Sequence, residues 1–415
     1  VIDILLIVAV VFAPLLAVVA VITVRPAGLV AGRLVTLGCA VASLAAFAII
    51  VVSATRPDGL VGYSDGWPLH VDRASSLLLV AVTTTGVVVG SFSRRSIDLD
   101  PRGRRFFVLL GALVTGGSLV VVHGSWVALL AGWIGSTWAL VALLGHRSEL
   151  AATKRAQRTI ARALMVGDGA LVLAIAVVVA IGGADPLTDV VTVAARVGSS
   201  AVFGIPAADL VAVLLVVAGA SRSALVPWHR WLAATLAAPT PVSALVHAGF
   251  VSGAGLLLIR FHALVLNSAV AVYAAFFLAV LTILIAVGAG SARVDVKGKL
   301  AWSTVAQMGF MVVQSSVGAL SSAVLHIIGH GLYKASMFLG AGDVISAGLR
   351  STRRAAPLPV WSAATRATLA IAIATATLGL GLWVLPPHLS AAGVVLVAVF
   401  AWSTIVHGLW GWLSR

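Results

Sequence analysis

Residues 218–261 read AGASRSALVPWHRWLAATLAAPTPVSALVHAGFVSGAGLLLIRF. An apolar run is interrupted by Arg222, Pro227 and His229. It restarts after Pro239 and Pro241 and carries His247 into a second apolar run. Proline removes a backbone donor and breaks or kinks a helix. Broken backbone at membrane depth persists only where protein or a water-filled cavity surrounds it. Discontinuous helices beside ionisable side chains are the material of ion pathways. A bent helix with a few structural polar residues is the competing reading. The combination of prolines, a guanidinium and two imidazoles in one stretch favours the path.

The rest of the chain places that stretch in a bilayer. Hydrophobic residues make up 61% of the sequence and charged residues 10%, and the mean hydropathy is +1.12. A soluble domain carries about a quarter charged residues. A membrane helix needs about 20 apolar residues, and such runs recur from end to end. The sequence therefore predicts an all-α polytopic membrane protein, read as a single membrane domain over 1–415. The net charge of +14 lies mostly in alternate short loops, which is a topology signal and argues against nucleic acid as a partner. Cys39 is the single cysteine, so there is neither a disulfide framework nor a cysteine metal site. The first apolar run lacks a basic leader and is expected to be retained as a helix.

Thirteen spans are expected, at 3–23, 30–53, 75–92, 105–122, 125–145, 162–182, 207–236 (broken), 241–261, 268–290, 297–317, 321–346, 363–385 and 390–412. Basic residues follow the first, third, fifth, ninth and eleventh spans, as with Arg94 and Arg95 after the third and Lys154, Arg155 and Arg158 after the fifth. The positive-inside rule then puts the N-terminus outside and the C-terminus in the cytoplasm of a plasma-membrane protein. Three N-terminal helices (1–103) would precede two five-helix units, 104–262 and 268–412. An odd count inverts the second unit relative to the first. The break at Pro227 has a counterpart at Leu385-Pro386-Pro387-His388 in the twelfth span, and paired interruptions point to an inverted-repeat transporter.

An ionised side chain at bilayer depth costs at least about 2.5–3.5 kcal/mol, so each needs a partner or a water path. Asp168, within ALMVGDGALVLAI, is the clearest buried acid, and Arg222 is its expected ion-pair partner. That pair serves either an ion path or helix packing alone. His326, His330 and Lys334 recur every four residues in VLHIIGHGLYKASMFLGAGDVI and so share one helical stripe. Imidazole titrates near neutrality, which makes the stripe a proton or ion wire, with His247 adding a further group. The spacing of His326 and His330 also suits a metal, but Lys334 alongside and no third ligand argue against one. Asp295 and Lys297 at the head of VDVKGKLAWSTVAQMGFM form either a cytoplasmic mouth or an interfacial anchor. His229 either lines the break or makes a structural hydrogen bond. No Walker loop, GxSxG elbow, HExxH or CxxC is present, so an enzyme is not expected.

These stretches resemble a known family. PWHRWLAATLAAPTPVSALVHAG is similar to the signature of the proton-translocating, antiporter-like subunits of respiratory complex I and Mrp antiporters. KGKLAWSTVAQMGFM and HIIGHGLYKASMFLGAGDVI resemble its second-half signature. The resemblance covers roughly residues 70–350. It implies two inverted five-helix repeats with broken helices seven and twelve, and ion-path roles for Asp168, His247, His326, His330 and Lys334. The lysine of the family's helix seven falls on Arg222. Complex I members carry a glutamate after Gly-Trp on helix five, where this chain has Ile134 after Gly132-Trp133. Their helix-twelve lysine has no counterpart in TRATLAIAIATATLGLGLWVL, nor does their largest subunit's long lateral helix.

A shortened, acid-depleted member of this fold resembles the DabB branch, the membrane subunits of DAB inorganic-carbon uptake systems. LAGWIGSTWALVALLGHRSELAATKRAQRTIARAL carries that likeness. The resemblance implies a subunit that conducts protons, or Na+, to energise a DabA-like large cytoplasmic zinc protein that hydrates CO2 to bicarbonate. Zinc is then expected in that partner, and no cofactor in this chain. The alternatives are an antiporter-like subunit of a complex I-like, hydrogenase-linked or Mrp-type assembly, and a structural membrane anchor with degenerate ion sites.

Overall fold

With no water to satisfy its backbone in a bilayer, an apolar run must close its own hydrogen bonds, and helix is how a single segment does so. The computed structural model describes residues 2–56, 61, 69, 71–97, 100–122, 124–146, 151–182 and 190–350, together with 365, 368–369, 371–376 and 379. Among them the long helices fall where the apolar runs predict: α1 (Ile2–Val24), α2 (Gly28–Thr55), α3 (Arg73–Ser96), α4 (Gly103–Val121), α5 (Trp126–Leu144) and α6 (Ala151–Gly182). A short α7 (Val190–Gly198) and a two-stranded hairpin, β1 (Ala201–Val202) with β2 (Ile205–Pro206), precede α8 (Ala207–Arg222). There follow α9 (Arg230–Ala234), α10 (Thr240–Ala248), α11 (Gly253–Arg260), α12 (His262–Val265), α13 (Ala269–Ser291), α14 (Val296–Ser316) and α15 (Leu320–Arg350).

Eight helical stretches among the described residues are long and apolar enough to cross a membrane. Their outward faces agree. Leu5, Leu16, Leu37, Leu44, Phe277 and Leu284 all point away from the protein, a pattern that lipid accepts and water does not. The chain is a multi-pass membrane protein. The expected break at 385–388 and the last span, 390–412, lie outside the described residues, as does most of the twelfth span.

Two boundaries differ from the sequence reading. The sixth span begins as helix at Ala151 rather than 162, because the basic segment before it continues the same helix into the aqueous phase. The eighth span, expected as one helix over 241–261, is interrupted: α10 stops at Gly249, a 3₁₀ turn covers Phe250–Ser252, and α11 resumes at Gly253.

Helix α15 bridges separate parts of the bundle. It lies against α3, α10, α11 and α14, joining the N-terminal helices to the later ones. Of the stripe His326–His330–Lys334, His330 and Lys334 are buried between these helices and His326 is partly buried.

Candidate functional site

The break in the seventh span is built to satisfy its own backbone. Helix α8 ends with Ser223 and Leu225 N–H groups donating back to the carbonyls of Gly219 and Ala220, at 2.8 and 2.9 Å. Ala224 takes φ +54°, a left-handed conformation that closes helix ends. Beyond it, Val226 N–H donates to Thr282 Oγ1 of α13 at 3.0 Å, and Trp231 Nε1 donates to the Ser221 carbonyl at 2.8 Å. Ser223 Oγ accepts from Ala254 N–H at 2.7 Å and donates to the Val251 carbonyl at 2.5 Å, tying one break to the other. Both interruptions thus lie inside protein, the condition for irregular backbone at this depth.

Arg222 ends α8 and is buried. Its Nη1 donates to the Trp133 carbonyl at 3.1 Å and its Nη2 to Ser136 Oγ at 2.5 Å. The flat faces are covered by Trp133 and Phe250, whose ring centroids lie 4.0 and 3.9 Å from Cζ. A desolvated cation–π contact contributes about 2 kcal/mol. Gly253 is needed for this arrangement, since a Cβ there would come within 2.6 Å of Arg222 Cδ. Arg222 and Asp168 interact electrostatically without forming a contact ion pair. Asp168 instead accepts from Thr137 Oγ1 at 3.0 Å. Ser136 and Thr137, consecutive on α5, each bond one of the two charged groups. A cavity of about 90 Å³ adjoins Arg222 and Ser136, and its other walls are largely apolar side chains from α3, α4, the 249–256 segment and Ile327.

The second cluster lies where α10 meets α15. Gly331 permits their approach, because a Cβ there would collide with the Ala248 carbonyl oxygen. Next to it His247 is fully buried and stacks on Phe338, centroids 4.3 Å apart. Thr235 Oγ1 gives its own hydrogen to the Leu232 carbonyl at 2.6 Å, so it accepts from His247 Nε2 across a long 3.5 Å. His247 Nδ1 finds no partner. On α15, His326 Nδ1 donates to Gln314 Oε1 at 2.8 Å, and the Gln314 amide is oriented by its bond to Ser322 Oγ. The His330 ring, 6.0 Å from that of His326, is buried with both nitrogens unpartnered. Lys334 is also buried, and its Nζ donates to the Leu300 carbonyl at 3.0 Å and to Ser303 Oγ at 2.5 Å. No carboxylate lies within ion-pair distance of Lys334 among the described residues.

The structure therefore groups His247, His330 and Lys334, with His326 at one end, and keeps Asp168 and Arg222 in a separate cluster. Among the described residues no set of His, Cys, Asp and Glu could hold a metal ion. Asp295 caps α14, accepting from Gly298 N–H at 2.7 Å, with Lys297 half-buried beside it. His229 leaves the break towards α14, its ring 5.8 Å from Trp302. Sequence reasoning missed Trp133, Ser136, Thr137, Phe250, Ser303 and Gln314, which hold the charged groups. The Ser136-Thr137 pair inside an apolar helix was the available signal. It also missed His146 at the end of α5, whose Nε2 lies 2.9 Å from Asp100 Oδ2, while Arg102 donates to its carbonyl at 2.8 Å.

Comparison with known proteins bears on this arrangement. A family model described as NADH:quinone oxidoreductase/Mrp antiporter, TM, matches residues 124–414. The probable inorganic carbon transporter subunit DabB1 of Halothiobacillus neapolitanus is 32% identical over 356 residues, covering 82% of this chain and 63% of that protein. The probable DabB subunit of Bacillus subtilis is 30% identical over 74% of this chain and 58% of its own length. NADH-quinone oxidoreductase subunit L of Mycobacterium tuberculosis is 30% identical over 75% of this chain and 51% of its own length. This chain thus spans about half to two thirds of the length of the curated relatives it matches. Among solved structures, the Mrp complex of a Dietzia species superposes with a TM-score of 0.70 at 23% identity, over 99% of this chain and 47% of that one. A chain of the archaeal membrane-bound sulfane sulfur reductase superposes at 0.71 and 16% identity, over 98% of this chain and 87% of that one. At those identities the two structures speak to the fold alone.

Proposed function

Because the chain belongs to the NADH:quinone oxidoreductase/Mrp antiporter membrane family, we propose that it is the cation-conducting membrane subunit of an inorganic-carbon uptake complex. The observation that carries the reading is the group of buried nitrogens around Lys334. His247 Nδ1 and both His330 ring nitrogens have no protein partner. Leaving such groups unsatisfied costs about 1–3 kcal/mol each, and a fold that serves only as an anchor would replace them with apolar side chains. Groups that both accept and donate, stationed beside a buried ammonium, suit a proton that arrives and leaves through water. Arg222 hardly deprotonates, so it acts as a fixed charge beside Asp168 rather than as a stepping stone.

The DabB-type relatives, named as inorganic carbon transporter subunits, supply the substrate class. In this reading the flux energises a DabA-like large cytoplasmic zinc protein, which carries out the CO2 chemistry, and this chain is a transport subunit without a cofactor of its own. Asp168, Arg222, His247, His326, His330 and Lys334 form the path, within two inverted five-helix units (104–262 and 268–412). The N-terminus lies outside and the C-terminus in the cytoplasm. Affinity purification of the tagged chain tests the assignment. Recovery of a large zinc protein, together with growth at ambient CO2 that His330→Ala abolishes in an intact complex, supports it.

A second reading is an antiporter-like subunit of a complex I-like or Mrp-type assembly, favoured by the identity to subunit L. Co-purification of redox or antiporter subunits would select it. Absence of cation flux in vesicles holding the whole complex would leave only a structural anchor.

A further inference from the structure

We propose that the cytoplasmic end of α6 is a binding site for an anionic phospholipid, with Arg158 and Arg162 holding its phosphate diester. The inference goes beyond the transport reading and takes from it only the orientation of the chain.

The outward face of α6 is one continuous stripe. Its exposed side chains are apolar from Met165 onward, among them Val166, Val172 and Leu173, and lipid tails cover such a face in a membrane helix. Followed at helical spacing towards the N-terminus, the same stripe exposes Arg162, then Arg158, then Arg155 with Lys154. These four are every Lys and Arg of the helix. The opposite face turns inward through Thr153, Ile160 and Leu164, all buried. Gln157 ties that face to the end of α5, its Nε2 donating to the Val141 carbonyl at 2.9 Å. The basic extension is therefore packed against the bundle, and its cations stand directly over the acyl chains that the apolar half of the stripe meets.

Height along the helix separates their tasks. Arg162 stands about 4.5 Å and Arg158 about 10 Å beyond Met165. The headgroup layer is about 5–8 Å thick, and flexible arginine stems bring both guanidiniums to its phosphates. Lys154 and Arg155, about 15–16 Å out, add attraction across a Debye length rather than contact. None of the four has an ion-pair partner among the described residues. Side chains four apart on a helix are neighbours, and a guanidinium gives a phosphate two parallel hydrogen bonds, so Arg158 and Arg162 can clasp one diester together. A zwitterionic lipid would bring its own ammonium against the cluster, which selects the anionic class. The positive-inside bias needs only a charge count on one side of the bilayer; here all four charges share the lipid-facing side of one helix. An acidic protein is the weaker occupant, because the stripe runs without a step into the acyl-facing residues and its ligand must lie in the headgroup plane.

The test is lipid binding to the purified complex, titrated with phosphatidylglycerol or phosphatidylcholine and read by native mass spectrometry. Wild type is expected to prefer phosphatidylglycerol, and added salt to erode the preference. Each basic residue near the headgroups contributes about fivefold in affinity, so Arg158→Gln with Arg162→Gln should weaken phosphatidylglycerol about 25-fold and leave phosphatidylcholine unchanged. Lys154→Gln with Arg155→Gln should weaken it less. Equal affinity of wild type for the two lipids overturns the proposal, as does wild-type affinity in the Arg158/Arg162 variant. An equal loss in Arg293→Gln with Lys299→Gln, exposed cations on another loop, shows a general charge effect and overturns the site. Loss of a soluble subunit from the Arg158/Arg162 variant, with lipid affinity kept, assigns the face to a protein instead. Should that variant fail to assemble, wild type decides the matter. Phosphatidylglycerol with a photoreactive headgroup is expected to label residues 154–166, and labelling confined to other segments overturns the proposal.

Discussion

The Arg222 cluster and the Lys334 cluster each place a single cation at bilayer depth without a carboxylate in contact, yet the surroundings differ in kind. Around Arg222 the guanidinium meets a carbonyl, a hydroxyl and two aromatic faces, and Asp168 accepts from Thr137. Around Lys334 the ammonium is held by one carbonyl and one hydroxyl, while the imidazoles of His247 and His330 keep nitrogens with no protein partner. A guanidinium suits the first setting because it is rigid, planar and permanently charged, and an ammonium suits the second because it yields its proton more readily. One bundle can thus hold a fixed charge and a proton-labile site side by side. Unpartnered imidazole nitrogens beside the cation, rather than burial, distinguish them.

The largest expected effect follows from the labile side. His330→Ala should reduce cation flux at least about 100-fold, equivalent to roughly 2.7 kcal/mol on the limiting step, with the complex still recovered intact. Flux in reconstituted vesicles measures it. On the fixed side, Arg222→Met should lower flux about tenfold while destabilising the protein by about 3 kcal/mol, through lost cation–π contact and hydrogen bonds. Thermal unfolding in detergent, read beside flux, checks this. Equal flux losses in His330→Ala and Arg222→Met would erase the contrast between the clusters. Thr137→Val should have the smallest effect, about 1 kcal/mol of stability from the lost bond to Asp168 and flux within about twofold of wild type.

Much of this was legible in the sequence. Ionisable residues inside apolar runs mark themselves, and the four-residue spacing of His326, His330 and Lys334 fixes a shared stripe whatever the tertiary packing. The prolines at 227, 239 and 241 marked the break for a local reason. Contacts between distant residues were not legible. Arg222 and Trp133 are 89 positions apart, so nothing in either segment announces the aromatic sandwich. Pairing Arg222 with Asp168 followed from charge alone; the two charges do interact, but their hydrogen bonds go to Trp133, Ser136 and Thr137. The interruption at Gly249–Gly253 was hidden because glycine in a membrane helix more often marks close packing. Here Gly253 serves both ends, clearing space for Arg222 and starting a new helix.

The most direct test of the central claim, that buried titratable side chains on α10 and α15 carry cations, is proton flux through the purified complex in vesicles under an imposed potential, with and without Lys334→Ala. The account predicts robust flux for the wild-type complex and loss of about 99% of it in the variant, with unchanged assembly. Undiminished flux in Lys334→Ala would contradict it.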